Sequence, residues 1–158
     1  MCFGQSSDVS DDADLLPSRD IGLAFYLVCD RGFAVGVCTH KHARLGHLIW
    51  LAEPFFDDEP SMATAEAIGD WRWPVFYPLG AAVRRRLVTR LGRLELPPEL
   101  ADFPKMRSGG GAQPWMEFQH SLALGPTTTD RTLPIAMIVN HEMLKEMLVT
   151  DWQPSARW

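Results

Sequence analysis

Two apolar runs of strand-forming residues, separated by three turn formers, constrain this chain more than any other feature. Residues 21–29 (IGLAFYLVC) and 33–39 (FAVGVCT) flank Asp30-Arg31-Gly32. A short glycine-containing link between two such runs predicts a β-hairpin. Both runs are apolar nearly throughout instead of alternating, which predicts strands buried on both faces or central in a sheet. Gly36, inside the second run, marks a bulge or a close backbone approach. A third run, residues 45–52 (LGHLIWLA), follows a polar turn carrying His40, Lys41 and His42. The three runs lie close enough in sequence to form a meander.

Downstream, the pattern loosens. Residues 53–70 form an acidic connector in which Pro54 and Pro60 bracket Phe55, Phe56, Asp57, Asp58 and Glu59. Residues 61–68 predict a short helical turn ended by Gly69. Residues 71–77 (WRWPVFY) predict an aromatic strand that Pro74 confines to an edge or a bulge. Residues 80–91 fit an amphipathic helix with Val83, Leu87 and Leu91 on the inner stripe, Arg84, Arg85 and Arg90 facing water, and Gly92 as the stop. A strand pair is the alternative for the latter part of that segment. Pro97, Pro98 and Pro104 predict an irregular path, and Ser108-Gly109-Gly110-Gly111 a flexible point. Residues 115–118 predict a short strand and residues 132–140 (TLPIAMIVN) a last strand. Asn140 then caps a helix over 141–150 with Met143, Leu144, Met147 and Leu148 inward. With no βαβ alternation and no repeat, the fold class is α+β, a mostly antiparallel sheet with two or three short helices. A length of 158 residues fits one domain, residues 19–158, preceded by an acidic flexible arm, residues 1–18.

Charge and cysteine usage narrow the function. Residues 1–70 hold twelve carboxylates against four Lys or Arg, a balance of −8, whereas residues 71–107 carry +5. Phosphate neutralisation dominates nucleic-acid affinity, so an acidic first half argues against nucleic acid and for a basic protein surface as partner. No apolar run reaches the ~18 residues of a membrane span. The opening MCFGQSSDVSDDAD is acidic where a secretory signal would be basic. Cys2, Cys29 and Cys38 therefore read as free thiols in a reducing compartment, and the expected location is cytoplasmic.

The chain offers few starting points for chemistry. In an extended strand Cys38, His40 and His42 would point to one side and offer three zinc-type ligands, with His47 close by. The spacing matches no standard site, and Lys41 and Arg44 would place positive charge beside the metal. A polar turn between strands is the favoured reading, and a small hydrolase or metalloenzyme built on His40, His42 and His47 is the alternative. A nucleophile could be assembled from Cys29 or Cys38 with a histidine, but such sites are defined by geometry. The chain contains no G-x-S-x-G, H-E-x-x-H or G-x-x-x-x-G-K motif. The expectation is a non-enzyme without cofactor, metal or small-molecule substrate. Six tryptophans read mainly as core.

A family resemblance adds to this reading. The opening hairpin, from Asp20-Ile21-Gly22 through Gly32-Phe33-Ala34-Val35-Gly36-Val37, resembles the start of a bacterial immunity-protein family, the mostly-β type called immunity protein twenty-six. Trp71-Arg72-Trp73-Pro74-Val75 followed by Pro78-Leu79 is similar to it as well. The likeness covers residues 20 to 118, leaving the acidic arm and the segment from Thr132 outside it. It implies a protein that binds and neutralises a cognate toxin, often a nuclease, and that acts without catalytic residues. Nuclease surfaces are positive because they hold phosphate, and carboxylates on an inhibitor can imitate that phosphate. The expected partner-binding residues are Glu53, Asp57, Asp58, Glu59, Glu66 and Asp70. Lys and Arg are absent from residues 53–70, which leaves these carboxylates without local compensation. An acidic secretion chaperone or adaptor fits the same composition.

Overall fold

A computed structural model describes residues 14–110, 112–120 and 125–150 of the chain. The hairpin forms as the sequence predicts: β1 (Leu23–Cys29) pairs antiparallel with β2 (Gly32–His42), opposing Phe25 to Gly36 and Tyr26 to Val35. Strand β3 (Gly46–Phe56) continues the meander, and β4 (Trp71–Tyr77) and β5 (Thr89–Arg93) complete a five-stranded antiparallel sheet in the order β4-β3-β2-β1-β5. Pro74 lies on an edge strand, where a missing N–H costs no ladder bond.

Both faces of this sheet are buried, which is why the central runs lack alternation. One face carries Phe25, Leu27, Cys38, Ile49, Leu51 and Val75, the other Ala24, Tyr26, Val35, Leu48 and Phe76. Side chains alternate strictly along a strand, so covering both faces needs two separate lids. The first face is covered by α2 (Leu79–Arg84) and α4 (His141–Val149). The second is covered by α1 (Met62–Glu66) at one end and, at the other, by Phe103, Met106 and Phe118. Those last three belong to α3 (Pro98–Ala101) with its following loop and to a hairpin of β6 (Met106–Gly110) and β7 (Gln113–Phe118). In the middle of the sheet a Cβ on Gly36 would stand 2.6 Å from the Phe25 ring. Glycine there lets the ring lie flat on the neighbouring strand, and fully burying such a ring contributes about 2–3 kcal/mol.

The caps of the helices follow local chemistry. Ser61 and Thr64 form a reciprocal capping box on α1, and Asn140 Oδ1 accepts from the Met143 amide at 2.8 Å to start α4. Leu144, Met147 and Leu148 enter the core, but Met143 is exposed, because the inner stripe of so short a helix admits only these three.

Several other expectations need correction. The segment expected as one helix over 80–91 is helix only to Arg84, then turns into β5. The turn is a Schellman cap in which Leu87 N–H donates to the Ala82 carbonyl (2.9 Å) and Arg86 N–H to that of Val83 (3.1 Å). Arg86 adopts φ 60°, the left-handed conformation usually given to glycine, and Leu87 is exposed instead of joining a stripe. Leu91 packs on the second face beside α1.

Residues 132–140 do not form a strand. They bridge Arg107 through Ile135 and Phe76 through Ile138, changing partner between two sheets from Ala136 to Met137. Ser108, Gly109 and Gly110 lie within β6, not in a loose loop, and the Trp115 ring lies against Gly110, where a Cβ would stand 2.6 Å away. The arm is docked from Asp14: the Ala43 amide donates to the Asp14 carbonyl and the Leu16 amide to that of Lys41, both at 2.8 Å. The remainder of the arm, residues 1–13, and Trp152 and Trp158 lie outside the described residues. Among the other tryptophans Trp73 is buried, while Trp50, Trp71 and Trp115 are half-buried. Among the described residues no helix is long and apolar enough to cross a membrane.

The cap of α2 yields a stability prediction. A non-glycine residue held left-handed costs about 1 kcal/mol, so Arg86→Gly should raise the midpoint of thermal unfolding by roughly 2–4 °C. Arg86→Ala, which keeps the Cβ, should not. Equal midpoints for the two variants, measured by calorimetry, would show that the left-handed turn carries no strain.

Candidate partner-binding surface

The histidine cluster is dispersed by one extra residue in β2. Pairing of β2 with β3 shifts register between Cys38 and His40, so Cys38 opposes Ile49 and His40 opposes Leu48. A bulge at Thr39 therefore sends Cys38 to one face and His40 and His42 to the other. The expectation that the three share a side is thereby overturned. His47 stands opposite Lys41, on the face that holds Cys38. No group of three or more His, Cys, Asp or Glu side chains is placed to hold a metal ion among the described residues.

Each histidine has structural work instead. His42 is 1% exposed. Its Nδ1 accepts from the Arg44 amide at 3.1 Å and the Leu45 amide at 3.2 Å, while Nε2–H donates to the His120 carbonyl at 2.7 Å. That pattern fixes one neutral tautomer and closes the β2–β3 turn against the chain after β7. His40 Nε2 donates to the Ala101 carbonyl at 3.0 Å and pins α3. Its ring meets Phe103 edge-on, with centroids 5.2 Å apart. His47 Nε2 lies 3.2 Å from Asp20 Oδ2.

Cys38 has no exposed surface, its Sγ points to the His40 carbonyl at 3.6 Å, and burial pushes its thiol up to about 12. It is a protonated thiol in a core, not a nucleophile.

The acidic segment does form a surface feature. After Phe56 the chain leaves the sheet, passes through Asp57, Asp58 and Glu59, forms α1, and returns at Asp70. The excursion is closed by the Glu53 amide donating to the Asp70 carbonyl at 2.9 Å. Phe55 packs toward the first core, with the guanidinium of Arg72 4.8 Å and that of Arg31 5.2 Å from its ring centre. Phe56 packs on the second face beside Met62 and Ile68. Both aromatics anchor the segment to the sheet.

Between β3 and α1 lies a groove of about 290 Å³ with Pro54, Phe56, Ala67 and Ile68 in its lining and Asp70 at its edge. Asp57, Asp58, Glu66 and Asp70 of the same segment are exposed. A groove with an apolar floor and a carboxylate at its edge can take an apolar side chain that neighbours a cation. A second groove of about 300 Å³, between Asp30 and α4, mixes Glu142 and Glu146 with Lys145 and has no such single sign.

Two of the six expected carboxylates are already engaged. Arg72, just beyond residues 53–70, places Nε 3.5 Å from Glu53 Oε2 and also donates to the Glu53 carbonyl. Tyr26 donates its hydroxyl to Glu59, and that bond raises the phenol above its usual range. The tyrosine comes from β1, 33 residues away, so no local pattern could have shown it. The groove floor was also missed. Its signal is Phe56 and Ile68 spaced around a helical turn inside an acidic stretch. No protein-family model, curated protein or solved structure matches this chain.

The histidines give the fold a pH dependence. Burial holds His40, His47 and His141 below the ordinary value of 6.5, and for His47 the neighbouring Asp20 only partly opposes it. A folded value below the unfolded one means stability is complete above 6.5 and is lost as pH falls through the folded values. The thermal midpoint should accordingly drop from pH 7.5 to pH 5, and less steeply in a His40→Gln, His47→Gln variant. Parallel pH curves for variant and parent would exclude these rings as the cause.

Proposed function

We propose that this chain is a binding protein of the immunity type, which neutralises a toxin by covering a basic surface on it. The observation that carries the reading is the apolar groove between β3 and α1, edged by Asp70, in a segment that also exposes Asp57, Asp58 and Glu66. Exposed carboxylates steer a cationic partner and raise the encounter rate, while the apolar floor supplies the desolvated contact that holds it. Glu53 and Glu59 of the same segment are held by Arg72 and Tyr26. The two prolines and the Glu53–Asp70 backbone bond limit the segment's freedom before binding, which lowers the entropy lost on docking. A nuclease is the toxin class whose basic active surface fits best. The buried, fully hydrogen-bonded His42 and the inert Cys38 favour binding over catalysis as the task of the fold.

The test begins with the toxin encoded beside this gene. Co-expression of the two should keep cells alive, and a chain with Asp57, Asp58 and Glu66 changed to Lys should fail to protect while still folding. Association of the purified pair should slow at least about tenfold in that variant and should slow with salt, because exposed charges are screened beyond about 10 Å at 0.1 M. Cell death unchanged by the parent chain would end the immunity reading. Protection by the triple variant equal to the parent's would move the interface elsewhere.

A further inference from the structure

Helix α4 closes part of the first face of the sheet with little to hold it. Its buried side chains are Leu144, Met147 and Leu148. Toward the β1–β2 turn, the groove of about 300 Å³ separates it from Asp30, with Glu142, Lys145, Glu146 and Val149 along the helix side. Asp30, Glu142 and Glu146 are exposed there. Among the described residues a single side-chain hydrogen bond ties α4 to another element: the Tyr77 hydroxyl of β4 lies 2.8 Å from His141 Nδ1.

Chemistry gives that bond one direction. Tyr77 is 1% exposed, and its hydroxyl has no other partner among the described residues. A buried O–H needs an acceptor, so it donates to Nδ1 and requires a neutral His141 with its proton on Nε2. Burial pushes the Tyr77 phenol up to about 12, so no phenolate forms to pair with an imidazolium. His141 is also the first residue of α4, where the helix dipole disfavours a cation. Lys145, one turn on, acts in the same sense, and Glu142 opposes it. Helix α2 meets the shared core through apolar Leu79 and Ala82, and Asp30 of the β1–β2 turn faces Glu142 and Lys145 across the groove. The His141 ring is half-buried, within reach of solvent protons.

We propose that Tyr77 and His141 form an acid-sensitive latch: protonation of His141 breaks their bond and lets α4 lift from the first face while the five-stranded sheet stays formed. In the imidazolium Nδ1 carries a proton and cannot accept. The Tyr77 hydroxyl is then buried without an acceptor, beside a cation at a helix N-terminus. Lifting α4 relieves both penalties, because ring and hydroxyl then meet water. The docked helix holds His141 below the ordinary 6.5, chiefly through burial. Docking is therefore complete above 6.5 and is lost as pH falls through the docked value. Opening bares the core that Leu144, Met147 and Leu148 share with Leu27, Cys29 and Trp73.

Amide hydrogen exchange of the full chain, followed by NMR, tests this residue by residue. Protection over residues 144–149 should fall at least about fivefold from pH 7.5 to pH 5 and should lie below that of β2 at both. The His141 ring should show the Nε2–H tautomer at pH 7.5 and titrate with the same midpoint as the loss of α4 protection. His141→Asn, whose Oδ1 keeps an acceptor near the Nδ1 position without titrating, should hold α4 protection constant between the two pH values. Tyr77→Phe should lower that protection at pH 7.5 and flatten its pH dependence. If a variant fails to fold by circular dichroism, the ring titration of the parent chain carries the test. Protection of α4 equal to that of β2 at both pH values, a fall that His141→Asn leaves in place, or an Nδ1–H tautomer in the parent would each overturn the latch.

Discussion

The five-stranded sheet has no solvent face at its centre, and the rest of the structure answers that condition. A strand such as β2, buried on both sides, has no polar face to present to water. Two layers must therefore be supplied from sequence that is itself weakly patterned. The first layer, α2 and α4, is apolar and uses ordinary helix packing. The second is assembled from α1, α3 and the β6–β7 hairpin, and its centre is aromatic: Phe76 lies 6.4 Å from both Phe103 and Phe118. Offset and edge-on rings at such separations add specificity to simple burial.

The bulge at Thr39 divides the labour between these layers. By changing register it lets one strand give Cys38 to the first core and His40 and His42 to the second. The histidines then become the polar fasteners of the aromatic layer. His42 satisfies two amides of the tight turn, and His42 and His40 donate to carbonyls of the segments that flank β6 and β7. A buried polar ring with every nitrogen satisfied stabilises a unique arrangement, whereas one left unsatisfied would cost several kcal/mol. Residues that look like metal ligands in a list thus serve as caps and clasps in space.

The binding function proposed for this scaffold is a matter of surface, and the surface is made by what the core does not need. The excursion between β3 and β4 is anchored inward by Phe55 and Phe56, which frees its carboxylates to face solvent. Its charge is nevertheless lower than the sequence suggests. Arg72 and Tyr26, brought in by β4 and β1, engage Glu53 and Glu59, which leaves Asp57, Asp58, Glu66 and Asp70 as the other exposed carboxylates of the segment. The basic turn after α2, Arg84 to Arg86, is exposed as well.

The meander of β1, β2 and β3, the edge position of β4 and the caps of α1 and α4 were legible in the chain, because each rests on local rules. Apolar runs make strands, Pro74 cannot donate to a ladder, and Ser61 and Asn140 satisfy the first amides of a helix. The acidic segment was legible for the same reason, since charge is additive along a sequence. Other features were decided only in three dimensions. The end of α2 depends on Arg86 accepting a left-handed turn so that β5 can pair with β1, and residues 132–140 bridge two sheets in place of extending one. Likewise the bulge at Thr39 is chosen by how β2 must meet β3, and the engagement of Glu59 by a tyrosine from β1. In each case long-range pairing and burial outweigh a local preference worth about 1 kcal/mol or less per residue, and no window of sequence contains both partners.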